Sequence, residues 1–247
     1  MGNLTLLASV LMLSSVVSLE AAELKIIAGG GIAAALNEIA TQFESSTGHK
    51  TMIRYGTTPE LIKMATSTPF DLAVVPQDVF LDAAARAQFV PDQIPTVARV
   101  GLAVAVRAGA TRPDIGTAEA LKQTLLRAQA VASIPASATG TQLAAVYRQL
   151  GIADEMQAKV KAAAGPAQII EAVAKGDCDL AVFLINVLSD PRLDVVGPFP
   201  AEVQREVVYA TSVAANSTHS EVARAFIAYL RSAAAAAVIK AKAMTPG

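Results

Sequence analysis

The sequence predicts an α/β protein in two lobes, each built on a parallel-type sheet and joined by two crossover strands. Three observations predict this. Residues 23–43, ELKIIAGGGIAAALNEIATQF, read as a strand, a glycine turn and an amphipathic helix. The pattern recurs to give three consecutive βα units over residues 24–87, the mark of a parallel sheet. Two long apolar strands, near 97–107 and 205–215, lack that rhythm and bracket a middle block with βα units of its own. A chain that leaves one lobe, builds a second and returns needs two such passages. The expected division is a signal peptide over 1–22, a first lobe of 23–102 with 211–247, and a second lobe of 103–210.

Each element follows from its pattern. Leu24 to Ala28 form a short buried strand, which Gly29, Gly30 and Gly31 break. Ile32, Leu36, Ile39, Ala40 and Phe43 then share one helix face, and Gly48 stops the helix. Lys50 to Tyr55 alternate as a second strand, and a helix runs from Pro59 to Thr66. Phe70 to Val75 are almost all apolar, as a strand covered on both faces requires, and Asp78 caps a helix through Arg86. In the middle block a helix over 117–127 precedes a strand over 130–134. A helix with Leu143, Val146, Tyr147 and Leu150 inward follows, and Gly165-Pro166 opens another. Asp179 to Leu184 (DLAVFL) repeats Asp71 to Val75 (DLAVV), a hint of two similar halves. A proline-broken segment, a strand at 206–215, helices at 219–231 and 233–242, and a fraying tail at 244–247 complete the chain.

Composition narrows the function classes. The chain has 247 residues, 53% hydrophobic and 17% charged, with net charge −1. No basic face is available for nucleic acid, and 4% aromatics with no tryptophan leave few stacking platforms. His49, His219 and Cys178 are too few for a zinc site, and one cysteine forms no internal disulfide. No cofactor or metal is expected. Residues 4–19 form an uncharged apolar run too short to span a bilayer, read as a secretory signal for the periplasm, with an N-terminal anchor as the alternative.

Four stretches carry chemistry, and all are helix starts, where orphan N–H groups and a partial positive charge attract anions. Gly29-Gly30-Gly31-Ile32-Ala33-Ala34 fits the dinucleotide fingerprint G-x-G-x-x-A, but the next strand ends Ile53-Arg54-Tyr55-Gly56 with no acid for a ribose. The plainer alternative is a tight glycine turn. Thr57 stands three residues before Glu60, a capping-box spacing, and Thr57 and Thr58 are also candidate oxyanion donors. Ser137 to Thr141, with Thr139 as donor, is a third such turn, and Gly165 to Gln168 a fourth. There is no G-x-S-x-G, HExxH or P-loop, and Asp71 and Asp179 read as strand starts.

These residues resemble the periplasmic molybdate-binding proteins of ABC transporters, across about residues 24–240. IIAGGGIAAALNEIATQFESSTGHK is similar to the family's strand, small-residue turn and helix, and YGTTPELIKM with FDLAVVPQD to its hydroxyl-rich turn and following strand. The resemblance implies a type II, Venus-flytrap periplasmic-binding-protein fold that holds a small anionic ligand, a molybdate- or tungstate-like oxyanion, between its lobes. It also implies delivery to an inner-membrane ABC permease, with the binder a monomer that does no chemistry. By the same resemblance the ligand residues fall at Gly30 and Gly31, Thr57 or Thr58, Thr139, Gln168 (or Ala167) and Leu184, with Asn186 nearby. At Gly31 the family has a serine and at Leu184 a tyrosine. This chain therefore offers backbone N–H groups at Gly31 and no hydroxyl, which makes an organic carboxylate a rival ligand. Two rival functions stay open: an enzyme with a Gly-rich nucleotide or phosphate site at 29–34, and a ligand sensor.

Overall fold

A computed structural model describes residues 21–91 and 94–247; most of the expected signal peptide lies outside the described residues. Strand β1 (Glu23–Gly29) passes through a 3-10 turn (Gly30–Ile32) into helix α1 (Ala33–Thr47). Strand β2 (Lys50–Gly56), α2 (Thr58–Ser67) and β3 (Leu72–Pro76) follow. A 3-10 segment at Gln77–Leu81 precedes the short α3 (Ala83–Arg86), whose cap is Asp82 rather than the expected Asp78. The long β4 (Thr96–Arg107) leads to α4 (Ala118–Arg127), β5 (Val131–Ser133) and α5 (Ala138–Leu150). Next come α6 (Ala153–Lys159), β6 (Val160–Ala162), α7 (Pro166–Lys175), β7 (Leu180–Leu184) and α8 (Ile185–Leu188). The chain ends with β8 (Leu193–Pro198), β9 (Glu206–Val213), α9 (Ser220–Leu230), α10 (Ala233–Ala241) and β10 (Thr245–Pro246).

The strands form one mixed sheet in the order β2-β1-β3-β9-β4-β7-β5-β6, with β8 and β10 as further partners of β4. Parallel pairs β1–β2 and β1–β3 make one lobe, and β5–β6 and β5–β7 the other. Strand β4 serves both: Thr96 to Gly101 pair with β9, and Leu102 to Ala105 with β7. At the changeover the Gln204 amide clamps β4. Its Oε1 accepts from Leu102 N–H at 3.0 Å and its Nε2 donates to the Leu102 carbonyl at 3.1 Å.

The DLAV repeat marks one structural position used twice. Asp71 Oδ2 accepts the Lys25 N–H at 2.9 Å, tying β3 to β1. Asp179 Oδ2 accepts the Gln129 N–H at 2.6 Å, tying β7 to the start of β5. Both strands are buried throughout, as their apolar runs require. The α1 and α9 helices close the first lobe's core through Phe43 and Phe226, whose rings meet edge to face at 5.0 Å.

One expectation fails at the C-terminus. The tail does not fray: Thr245 and Pro246 pair with Arg99 and Ala98, and Gly247 N–H donates to the Val97 carbonyl at 2.9 Å. The free edge of β4's first half takes these backbone groups, a long-range pairing with no local signal. His49, after Gly48, is buried, and its Nδ1 accepts the Ala22 N–H at 3.2 Å.

Candidate functional site

The carboxyl ends of β1, β2 and β3 in one lobe face the starts of α5 and α7 in the other, across a cleft of about 300 Å³. That is the lower end of the ~300–1,000 Å³ found for small-molecule sites. Four helix starts open onto it, at Gly30, Thr58, Ala138 and Pro166. Their local chemistry differs. At α2 the Glu60 carboxylate accepts both the Thr57 N–H, at 2.7 Å, and the Thr57 hydroxyl, at 2.8 Å. These bonds, the backbone one first, hold Glu60 below the usual carboxylate range. At α5 the Ser137 hydroxyl accepts the Gly140 N–H at 3.1 Å and donates to the Ile134 carbonyl at 2.7 Å. The starts at Gly30 and Pro166 carry no side-chain cap. Pro166 has no N–H and the Gln168 N–H donates to the Gly165 carbonyl at 3.1 Å, so α7 leaves the Ala167 N–H for a ligand, beside those of the Gly30 turn.

The sequence-named residues separate into groups. Gly30, Gly31, Thr57, Thr58 and Thr139 all line the cleft. Thr57 spends its hydroxyl on Glu60, as the capping reading holds. The neighbouring Thr58 does not: its Oγ1 is buried with no hydrogen-bond partner. Gln168 is not a lining residue, because its Oε1 turns back to accept the Ala164 N–H at 2.8 Å. Leu184 is fully buried beneath the cleft rather than lining it. Asn186 reaches across the lobes, donating from Nδ2 to the Gly31 carbonyl at 2.7 Å.

The glycine turn has a different meaning from a fingerprint or a tight turn. None of Gly29, Gly30 and Gly31 has positive φ, so turn geometry does not demand glycine. Close approach does. A Cβ on Gly31 would lie 2.3 Å from the Tyr209 hydroxyl and 2.6 Å from Leu184 Cδ1. A Cβ on Gly29 would lie 2.8 Å from the Tyr209 ring. Tyr209 arrives there because antiparallel β9 sets it opposite Pro76, at the carboxyl end of β3. It lines the cleft, so the expectation of no hydroxyl beside Gly31 is corrected. Burial pushes its phenol well above the ordinary tyrosine range, so it is a neutral donor at physiological pH.

Sequence reading also missed Tyr55, whose hydroxyl donates to Asn37 Oδ1 at 2.7 Å and whose pKa burial pushes up to about 12. Among the lining residues Glu60 is the one charged group; there is no lysine, arginine or histidine. His219 instead sits 3.4 Å from Asp71, outside the cleft, and burial pushes the Cys178 thiol up. Among the described residues no three metal-ligating side chains cluster. The arrangement suits an anion held by dipoles: N–H groups, hydroxyls and phenols, with no counter-ion.

The model of the family described as bacterial extracellular solute-binding protein matches residues 24–244. The chain belongs to this family. Among relatives of this solute-binding protein, an aconitate isomerase from Pseudomonas sp is 32% identical over 232 residues, covering 90% of this chain and 87% of that one. The molybdate-binding protein ModA of Azotobacter vinelandii is 25% identical over 230 residues, covering 90% and 89%. A solved periplasmic molybdate-binding protein from Azotobacter vinelandii superposes with a TM-score of 0.73 at 20% identity, covering 91% of this chain and 99% of that one. The solute-binding protein therefore has the two-lobed periplasmic-binding-protein fold read from its βα rhythm.

Proposed function

We propose that the protein is an exported, monomeric solute-binding protein that closes its lobes, taken as 23–102 with 211–247 and 103–210, around a small di- or tricarboxylate. It hands this ligand to an inner-membrane ABC permease without chemical change. The observation that carries the reading is the cation-free cleft lined by helix starts from both lobes, among whose residues is Thr58 with a buried, unpartnered hydroxyl. An unsatisfied buried hydroxyl costs about 1–3 kcal/mol, which an anion oxygen repays. Donors on both lobes suit a ligand with an acidic group at each end, and binding both ends drives closure as a population shift. The relative named aconitate isomerase supports the same ligand class.

That relative also favours a second reading, in which the bound carboxylate is isomerised. Proton transfer at neutral pH works best from a group that titrates near 7. The cleft's groups move the other way, Glu60 down and Tyr55 and Tyr209 up. A thermal-shift panel of cis-aconitate, trans-aconitate, citrate, succinate, molybdate, tungstate and sulfate tests the first reading. Stabilisation that grows with carboxylate concentration supports it; stabilisation by molybdate alone overturns it. Proton NMR of cis- or trans-aconitate incubated with the protein separates binding, which leaves the isomer unchanged, from isomerisation.

A further inference from the structure

We infer that Tyr209 and Gly31 are a matched pair that sets ligand choice: the phenol is a direct donor to the bound carboxylate, and the bare glycine is its seat. The inference rests on the carboxylate reading of the same cleft. Tyr209 is 2% exposed and lines the cleft, yet its hydroxyl has no hydrogen-bond partner among the described residues. The ring is buried while the hydroxyl opens to the cleft, where a ligand oxygen can take its proton in place of water. Its ring lies over Gly29 and its oxygen against Gly31. Any side chain at 31 must displace both the phenol and the Leu184 side chain from the other lobe. Gly31 is also where the lobes meet, through the Asn186 bond to its carbonyl, so the donor stands at the closing point. A side chain at position 31 would therefore bear on the ligand through the tyrosine it displaces.

The test is a cycle of three variants, Tyr209→Phe, Gly31→Ala and the double, with melting temperature and calorimetric affinity for citrate and trans-aconitate as readouts. Tyr209→Phe keeps the ring and removes one oxygen. Its melting temperature should hold while affinity falls about ten- to hundred-fold, the range for a hydrogen bond to a charged group. Gly31→Ala should lose both stability and affinity. In the double variant the 2.3 Å clash is gone and the ring's Cζ, at 3.5 Å, is in ordinary contact, leaving only the Leu184 Cδ1 approach at 2.6 Å. Stability should recover in part and affinity should not. Affinity unchanged in Tyr209→Phe while the native protein binds overturns the donor role and leaves the carboxylate reading standing. Recovery of affinity in the double variant also overturns it, since the tyrosine is then only packing. A native protein that binds neither carboxylate overturns the reading beneath the inference.

Discussion

Replacing Thr58 with valine should move stability and affinity in opposite directions. The two side chains share a shape and differ by one hydroxyl, and Thr58 Oγ1 is buried without a partner. The helix cap is at Thr57, with Glu60, so the substitution leaves it in place. Removing an unsatisfied buried hydroxyl recovers about 1–3 kcal/mol, less a small difference in helix propensity. At roughly 2–4 °C per kcal/mol for a domain of this size, the ligand-free melting temperature should rise by about 2–12 °C. The bound state loses a hydrogen bond to a charged oxygen, about 1.5–3 kcal/mol, so affinity should fall about ten- to hundred-fold. Differential scanning fluorimetry without ligand and calorimetric titration with citrate measure the two sides. A lower melting temperature with unchanged affinity would show that Thr58 serves the fold alone, and the reasoning fails.

Three further outcomes follow from the same geometry. Glu60→Gln removes the one negative charge lining the cleft, and should tighten binding of a carboxylate by about 1 kcal/mol, severalfold in the dissociation constant, most visibly at low salt. Gly140→Ala should cost about 3 kcal/mol or more, read by denaturant unfolding. The new Cβ would stand 2.1 Å from the Pro135 carbonyl oxygen and 2.6 Å from that of Ile134, and backbone yields poorly. Both phenols are raised by burial, Tyr55 to about 12 and Tyr209 above the ordinary range, so each keeps its proton as a donor. Affinity for a fully ionised carboxylate should then stay flat from about pH 7 to about pH 10; a loss near pH 9–10 would mean a phenol titrating at its ordinary value.

The fold was legible because its signals are local. The βα rhythm, the doubled DLAV and the helix caps at Ser137 and Thr57 are each written within a few residues. The hydroxyl turns that line the cleft were legible for the same reason. What sequence reading missed depends on contacts far along the chain. Tyr209 reaches Gly31 only because β9 returns antiparallel to β3, and no spacing near residue 209 records that. Glycines at 29 and 31, two residues apart, are a faint trace of a ring lying over the strand end. Gln168 misled because its position at a helix start is right, while its side chain satisfies the Ala164 N–H instead. The tail misled because β4 offers an unpaired edge that composition does not reveal.

A crystal structure of the protein grown with excess citrate or trans-aconitate bears most directly on what the cleft holds. The ligand should lie between the lobes, with carboxylate oxygens within about 3.2 Å of Thr58 Oγ1 and the Tyr209 hydroxyl and others against the α5 or α7 starts. An empty cleft under those conditions, or one that takes up molybdate and leaves the Thr58 and Tyr209 hydroxyls unpartnered, would contradict it.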